Sequence, residues 1–216
     1  MRKRISLKTR RPDLSRRKFR EHYEGEHVPL GLEFIDHFQW RRYVRNHVVS
    51  ATGVSIDFDC YAEFWVDEDF DDRSLEAFIR SPEFSVLNED DRRFLDIGKR
   101  LSFEVEEHSL MVGHDEGSAV RKVAITWKDG SVDLEEGSLV AQRIVDSFGD
   151  RIVSAVLDTL TGSIPPDTPF DRLVTLGVRD EDPIVLDLVV RPPGGASVIV
   201  VEPIETAAEW LVTDDV

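Results

Sequence analysis

The sequence contains a single cysteine, Cys60, and lacks any apolar run that approaches the roughly 20 residues of a membrane-spanning helix. One cysteine cannot form a disulfide within the chain, which is typical of proteins in a reducing compartment. The first residues are charged and have no apolar stretch behind them, so they do not follow the pattern of a secretory signal peptide. We therefore predict a cytoplasmic protein without a membrane-spanning helix, and its net charge of -16 argues against an anionic membrane as the main partner.

Short motifs of several enzyme classes are also missing. The sequence has no glycine-rich phosphate loop, no GxSxG motif and no cysteine–histidine spacing typical of zinc sites. His22 and His27 are five residues apart, a spacing that places them on different faces of an α-helix. We therefore expect neither a metal nor an organic cofactor, and we do not predict a zinc or nucleotide enzyme.

Basic residues are scarce relative to acidic ones, with 27 Lys and Arg against 43 Asp and Glu and a net charge of -16. Such a charge argues against nucleic acid as the main partner, because phosphate backbones are also negative. The first 20 residues are the exception, since ten of them are Lys or Arg and only Asp13 is acidic. This basic segment could attract an anionic ligand or an acidic surface of a second copy, so a homodimer is an open alternative.

A histidine lies on the apolar face of the helix predicted for residues 19–34. At about 100° per residue, that face is formed by Phe19, Tyr23, His27, Leu30 and Phe34. Pro29 has no N–H and disfavours helical angles at Val28, so we predict that the helix bends or ends there. His27 is then either a group that faces a ligand or a buried histidine bonded to the backbone.

The first half of the chain alternates between strand and helix patterns. The strand patterns cover residues 3–10, 40–49, 60–66 and 101–111, and the helical patterns cover residues 15–34, 73–79 and 82–95. The order strand, helix, strand, strand, helix, strand is that of a ferredoxin-like unit. The polar, glycine-containing residues 114–119 mark a boundary after it.

The second half repeats this plan in a weaker form. Its strand patterns cover residues 120–128, 152–160 and 173–178, and a helical apolar stripe covers residues 134–148. The segment RRYVRNHVV at Arg41 is echoed by RIVSAVLDT at Arg151. We interpret this as an internal duplication whose second copy is degenerate, and we predict two domains, residues 1–114 and 119–216.

The first half resembles the EthD family, named for a protein of ethyl tert-butyl ether degradation, in the dimeric α+β barrel superfamily. The resemblance runs from Ile5 to about Leu110. It is carried by the order and spacing of Phe19, Tyr23, His27 and Pro29, RRYVRN from Arg41, AEFW from Ala62, SPEF from Ser81, the segment Asp91 to Asp96, and EEH from Glu106. The resemblance implies an α+β fold in which two ferredoxin-like (βαββαβ) units pack their antiparallel sheets face to face. A tandem copy then implies that this barrel forms within one chain.

The resemblance also implies a function. Relatives bind small, mostly aromatic or polyketide-like molecules, and several act without a cofactor as cyclases, dehydratases, isomerases or decarboxylases; an oxygenase is less favoured here. By resemblance, His27 is the expected general acid or base, with Tyr23 as its catalytic partner. The expected substrate-binding residues are Tyr43, Asn46, Glu63 and Trp65. The alternative is a non-catalytic ligand-binding or assembly protein of the same fold.

Overall fold

The computed structural model describes residues 1–53, 56–112, 120–128, 134–162, 164, 168–179 and 196–211. The chain divides into two compact units. The first consists of Met1–His47, Phe58–Ser102 and Ile204–Val216, and the second of Val48–Asp57 and Phe103–Pro203. The predicted boundary at residues 114–119 lies outside the described residues, so the division into domains 1–114 and 119–216 stays a prediction.

Eight strands and six α-helices make up the described chain. The strands are β1 (Arg2–Lys8), β2 (Arg42–Gly53), β3 (Cys60–Val66), β4 (Leu101–Met111), β5 (Val120–Trp127), β6 (Ile152–Thr161), β7 (Arg172–Arg179) and β8 (Ala196–Glu205). The helices are α1 (Arg16–His22), α2 (Val28–Leu32), α3 (Ile35–Phe38), α4 (Asp72–Ile79), α5 (Ser85–Phe94) and α6 (Leu134–Phe148). None of these described helices is long and apolar enough to cross a membrane.

The strands form a closed barrel in the hydrogen-bonded order β1-β3-β2-β8-β5-β7-β6-β4. The pairings of β3 with β1 and with β2 are antiparallel, and both Ile5 and Val44 lie opposite Glu63. The expectation of an α+β fold with an antiparallel barrel is therefore confirmed. Because side chains alternate along a strand, this register divides the polar residues of the first unit between two faces of the sheet.

The core of the first unit lies between its helices and one face of β1, β2 and β3. Phe19, Tyr23 and Phe94 are fully buried there and pack against Cys60 and Ala62 of β3. Ring centroids within this aromatic group lie 5.4–5.7 Å apart, a separation typical of favourable tilted contacts. Burial raises the pKa of the Cys60 thiol, so this cysteine acts as a small apolar core residue.

The core of the second unit contains more aliphatic and fewer aromatic side chains than the core of the first unit. One face of β5 contributes Val123, Ile125 and Trp127, and α6 contributes Ile144 and Phe148. These side chains follow the alternation of β5 and the apolar stripe of α6, as the sequence pattern predicts.

The helix that begins after Ser15 does not end at Pro29, and the prediction that Val28 leaves helical angles is wrong. The chain passes from α1 through one π-helical turn, Tyr23–His27, into α2, and Val28 is helical with φ -63° and ψ -50°. The Val28 N–H donates to the carbonyl of Tyr23, five residues back. Pro29 then occupies the first turn of α2, where no N–H is needed. The wide turn also brings residues five apart close to one face.

Candidate functional site

His22 and His27 both contact one buried carboxylate, Asp90 of α5. Nδ1 of His27 lies 2.9 Å from one Asp90 oxygen, and Nε2 of His22 lies 2.9 Å from the other. The prediction that these histidines lie on different helix faces is wrong, because it assumed α-helical geometry and the chain forms a π-helical turn between them. A carboxylate can only accept, so each ring nitrogen at Asp90 donates. His27 therefore carries its proton on Nδ1, and Nε2 is left to accept one.

Asp91, the neighbour of Asp90, lies near the other nitrogen of His27. Its Oδ1 is 3.7 Å from His27 Nε2, which is too long for a hydrogen bond. Its Oδ2 accepts a 2.6 Å hydrogen bond from Arg100. Both aspartates are buried, so the His27 ring lies beside two buried carboxylates.

The end of α5 is fastened to the segment that follows β1. The Arg11 N–H donates to the Phe94 carbonyl at 2.9 Å, and the Asp96 N–H donates to the Thr9 carbonyl at 2.9 Å. These backbone bonds fix the last turn of α5 beside Lys8, the final residue of β1. These bonds therefore set the position of the α5 backbone relative to the end of β1.

The environment of His27 favours its neutral form. Burial lowers its pKa below the usual 6.5, and the positive charge of Lys8 acts in the same direction, while Asp91 and Asp90 oppose the shift. Burial likewise lowers the pKa of Lys8, with Asp91 opposing. A neutral imidazole with its lone pair on Nε2 is the form that can act as a general base at neutral pH.

Tyr23 packs against the His27 ring. Its ring meets the His27 ring edge to face with centroids 5.5 Å apart, and its hydroxyl lies 3.0 Å from the hydroxyl of Tyr43. Both tyrosines are buried, and burial raises the pKa of each phenol above its usual value of 10. Tyr23 therefore contacts His27 directly, and Tyr43 is joined to Tyr23 in a hydrogen-bonded pair of neutral phenols.

A second histidine–carboxylate pair lies on the other side of Tyr23. Nε2 of His47 is 2.5 Å from one oxygen of Glu24, and Arg45 is 2.9 Å from the other. Burial alone would raise the pKa of Glu24, but the hydrogen bonds from His47 and Arg45 hold it below 4.5. The Arg45 guanidinium also donates to the Thr206 hydroxyl at 2.6 Å. Glu24 is thus an ionised group with both of its oxygens occupied.

The structure places the remaining predicted residues, Asn46, Glu63 and Trp65, on the opposite face of the sheet from His27. Glu63 lies 2.8 Å from the Lys3 ammonium and accepts a 2.7 Å hydrogen bond from Asn46. The same ammonium lies over the Trp65 ring, 4.7 Å from its centroid. Along β3 these residues alternate with those that contact the helices, so strand geometry separates them from His27. Their role in binding a substrate stays a prediction.

Residues 11–98 match the family model of the EthD domain. This segment is an EthD domain. The resemblance predicted from the sequence is confirmed for it, and it contains His27, Asp90 and Asp91. The chain has no match among curated proteins.

Two solved structures are similar to the whole chain. One is a monooxygenase candidate from Lactobacillus acidophilus NCFM, with 10% identity, a TM-score of 0.47, and 94% of this chain and 93% of that chain covered. The other is an anthrone oxidase-like protein, with 11% identity, a TM-score of 0.45, and 94% of this chain and 92% of that chain covered.

Sequence reasoning missed the carboxylates of the EthD domain, although a signal for one of them was present. Leu87, Asp90 and Phe94 follow each other at spacings of three and four, and all are buried. An aspartate on the apolar stripe of a helix must be paired, because an unpaired buried charge is costly. A similar signal exists in β2, where Arg45 and His47 alternate on the face of the apolar Tyr43.

The lowered pKa of His27 predicts a pH dependence of the stability of the EthD domain. The unfolded chain binds a proton on this ring at about pH 6.5, whereas the folded chain does so only at lower pH. The unfolded state therefore holds more protons as the pH falls through this window, and the free energy of unfolding should decrease. Above pH 6.5 this contribution is fully present, and it is lost as the pH falls through the folded pKa.

Urea unfolding of the wild type and of His27→Asn at about pH 7.5 and about pH 5.5 measures this effect. We expect the wild type to lose more free energy of unfolding than the variant between the two pH values. Equal losses would mean that the His27 pKa is the same in the folded and unfolded chains.

Proposed function

We propose that the EthD domain binds a small molecule beside His27 and that His27 transfers a proton to or from it. The observation that carries this proposal is the 2.9 Å hydrogen bond from His27 Nδ1 to Asp90, which fixes the ring and leaves Nε2 for the ligand. A positioned general acid or base raises a rate by roughly 100- to 10,000-fold. His27 is half-buried rather than enclosed, so its ring can be reached from solvent.

The chemistry follows from the protonation state of His27. The neutral ring takes a proton from an acidic carbon or hydroxyl of the ligand at Nε2, and the ligand keeps the electron pair. Asp90 and Asp91 then stabilise the imidazolium, because both carboxylates lie close to the ring. Return of the proton to another carbon completes an isomerisation. In a dehydration the proton goes to a hydroxyl group that leaves as water, and in a cyclisation the carbanion forms a bond to a carbonyl carbon of the ligand, whose oxygen takes the proton. None of these steps requires the domain to supply a redox group.

Tyr23 and Tyr43 have supporting roles in this proposal. Their hydroxyls hydrogen bond to each other, and the Tyr23 ring packs against His27. Tyr23 therefore positions the imidazole of His27. The sequence led us to expect Tyr23 as a catalytic partner, and we now propose only this positioning role for it. Asn46, Glu63 and Trp65 would contact a ligand only at the opposite face of the sheet.

We further propose that the barrel is a tandem of two ferredoxin-like halves. The strand orders β4-β1-β3-β2 and β8-β5-β7-β6 support this, since each half has its first and third strands at the centre. Central first and third strands are what the split βαβ arrangement requires.

A non-catalytic ligand-binding or assembly protein is the second candidate, and one observation favours it. Phe19, Tyr23 and Phe94 fill the space between the helices and the sheet and are fully buried, so a ligand has to approach His27 from outside this aromatic group. Mass spectrometry of compounds that copurify with the full chain, followed by incubation of each with fresh protein, separates the two functions. Conversion of a bound compound supports proton-transfer chemistry, whereas tight binding without conversion favours the binding protein.

A further inference from the structure

One oxygen of Asp91 has its hydrogen-bonding capacity unused. Within the described part of the chain, nothing donates to Oδ1, although this atom is buried and the Asp91 side chain is only 6% exposed. The other oxygen is held by Arg100 at 2.6 Å, so the carboxylate cannot turn away without losing that bond. A buried acceptor without a donor is costly and normally indicates a missing partner.

The separation between this oxygen and His27 Nε2 matches the span of one bridging, hydrogen-bonded atom. Oδ1 and His27 Nε2 are 3.7 Å apart, which is too far for a direct hydrogen bond. An atom at a usual hydrogen-bond distance of about 2.9 Å from both would complete a triangle with them. The two atoms are both acceptors when His27 is neutral, so they suit a group that offers protons.

Lys8 offers a hydrogen-bond donor near Asp91 and His27, which both offer acceptors. It is the last residue of β1 and pairs with Cys60, whose side chain lies in the core between helices and sheet. Lys8 is 9% exposed, and the backbone bonds that join the end of α5 to Thr9 and Arg11 bring its charge close enough to act on both Asp91 and His27. A buried ammonium beside a carboxylate and an imidazole is a donor for a carbonyl or enolate oxygen.

We propose that Lys8 and Asp91 complete a ligand site at His27 for compounds that carry a hydroxyl group next to a carbonyl group. The hydroxyl donates to Asp91 Oδ1, the Lys8 ammonium donates to the carbonyl oxygen, and His27 Nε2 faces the carbon-bound hydrogen. This assignment rests on the proposed function of His27. It adds Lys8 and Asp91 as the two residues that determine the specificity for the ligand.

The proton-transfer step at this site balances within the ligand and His27. The C–H bond next to the carbonyl breaks, its proton goes to His27 Nε2, and its electron pair forms the enolate. The negative charge develops on the oxygen that Lys8 contacts, where a fixed ammonium stabilises it. In D₂O the imidazolium exchanges its proton for a deuteron and returns it to carbon, so each cycle labels the ligand and regenerates the site.

Hydroxyacetone is a suitable probe, because it carries the required hydroxyl and carbonyl and is small. NMR titration of the full chain gives its affinity, and loss of its carbon-bound proton signals in D₂O gives the exchange rate. We expect saturable binding that Lys8→Met and Asp91→Asn each weaken by roughly 10- to 100-fold, the effect of removing a hydrogen bond to a charged group. Lys8→Arg should retain most of the affinity, since it keeps a charged donor.

The controls and outcomes separate this proposal from the proposed function. Lys18→Met and Asp96→Asn are the matched controls, and circular dichroism must report a native fold for every variant.

Exchange that persists in Lys8→Met and Asp91→Asn with unchanged affinity would overturn the ligand site but not the role of His27. Binding that depends on both residues, without enzyme-dependent exchange, would support the site and contradict proton transfer. No binding by the wild type would overturn the proposed ligand class.

Discussion

Replacement of His27 by asparagine should abolish catalysed proton exchange while leaving the protein folded. The Asn side-chain amide can occupy the position of Nδ1 and donate to Asp90, so the contact that fixes α5 against the helix is kept. Nothing then remains at the position of Nε2 to take a proton. We expect the rate of hydroxyacetone exchange to fall by roughly 100- to 10,000-fold, the usual contribution of a positioned general base.

His37→Asn is the matched control for this substitution. His37 is also half-buried, but its ring stacks on Phe78 at 4.1 Å and has no part in the Asp90 pair. The His37→Asn variant should catalyse hydroxyacetone exchange at the wild-type rate. If His27→Asn lowers the free energy of unfolding by several kcal/mol and activity merely follows the folded fraction, His27 is a structural histidine and not a general base.

Replacement of Lys3 by methionine should destabilise the fold more than any surface substitution. The Lys3 and Glu63 side chains are 3% and 5% exposed, and their charged atoms lie 2.8 Å apart. Methionine preserves the apolar stem but leaves the Glu63 carboxylate buried without this cation. Removing one partner of a buried ion pair costs about 3–5 kcal/mol. For a chain of this size that corresponds to a fall in melting temperature of about 2–4 °C per kcal/mol.

The double variant Lys3→Met with Glu63→Gln tests the cause of this loss. Glutamine is neutral and can still accept the hydrogen bond from Asn46, so the double variant no longer buries a carboxylate that has lost the Lys3 cation. We expect the double variant to recover most of the free energy lost in Lys3→Met, and Lys18→Met, on an exposed helical position, to lose none. If Lys3→Met alone proves as stable as the wild type, the buried pair is not a structural element, and the predicted role of Glu63 in ligand binding gains support.

Local sequence patterns predicted the strands of the first half well. The pattern at residues 60–66 corresponds to β3, Cys60–Val66, and the pattern at residues 101–111 corresponds to β4, Leu101–Met111. Alternation also fixes which side chains share a face, since the register of β3 follows from it. The end of β2 was missed by four residues, because the segment after Val49 is exposed and carries no apolar alternation.

Only part of the candidate site could be predicted from the sequence. His27 could be found because it lies on the apolar stripe of its own helix. Asp90 and Asp91 could not be assigned to it, since they approach from α5, more than 60 residues later in the chain, and only tertiary packing joins them. The π-helical turn was also hidden, because Pro29 suggests a break and nothing in the local pattern distinguishes a break from a widened turn.

The protonation state of His27 decides whether this ring can act as a general base. A ¹⁵N-resolved NMR spectrum of the imidazole in the full chain at pH 7 reports which ring nitrogen carries a proton. We expect a neutral ring with its proton on Nδ1, where Asp90 accepts it, and an unprotonated Nε2. A ring with its proton on Nε2, or one protonated on both nitrogens at that pH, would contradict it, because His27 would then have no lone pair to offer a ligand.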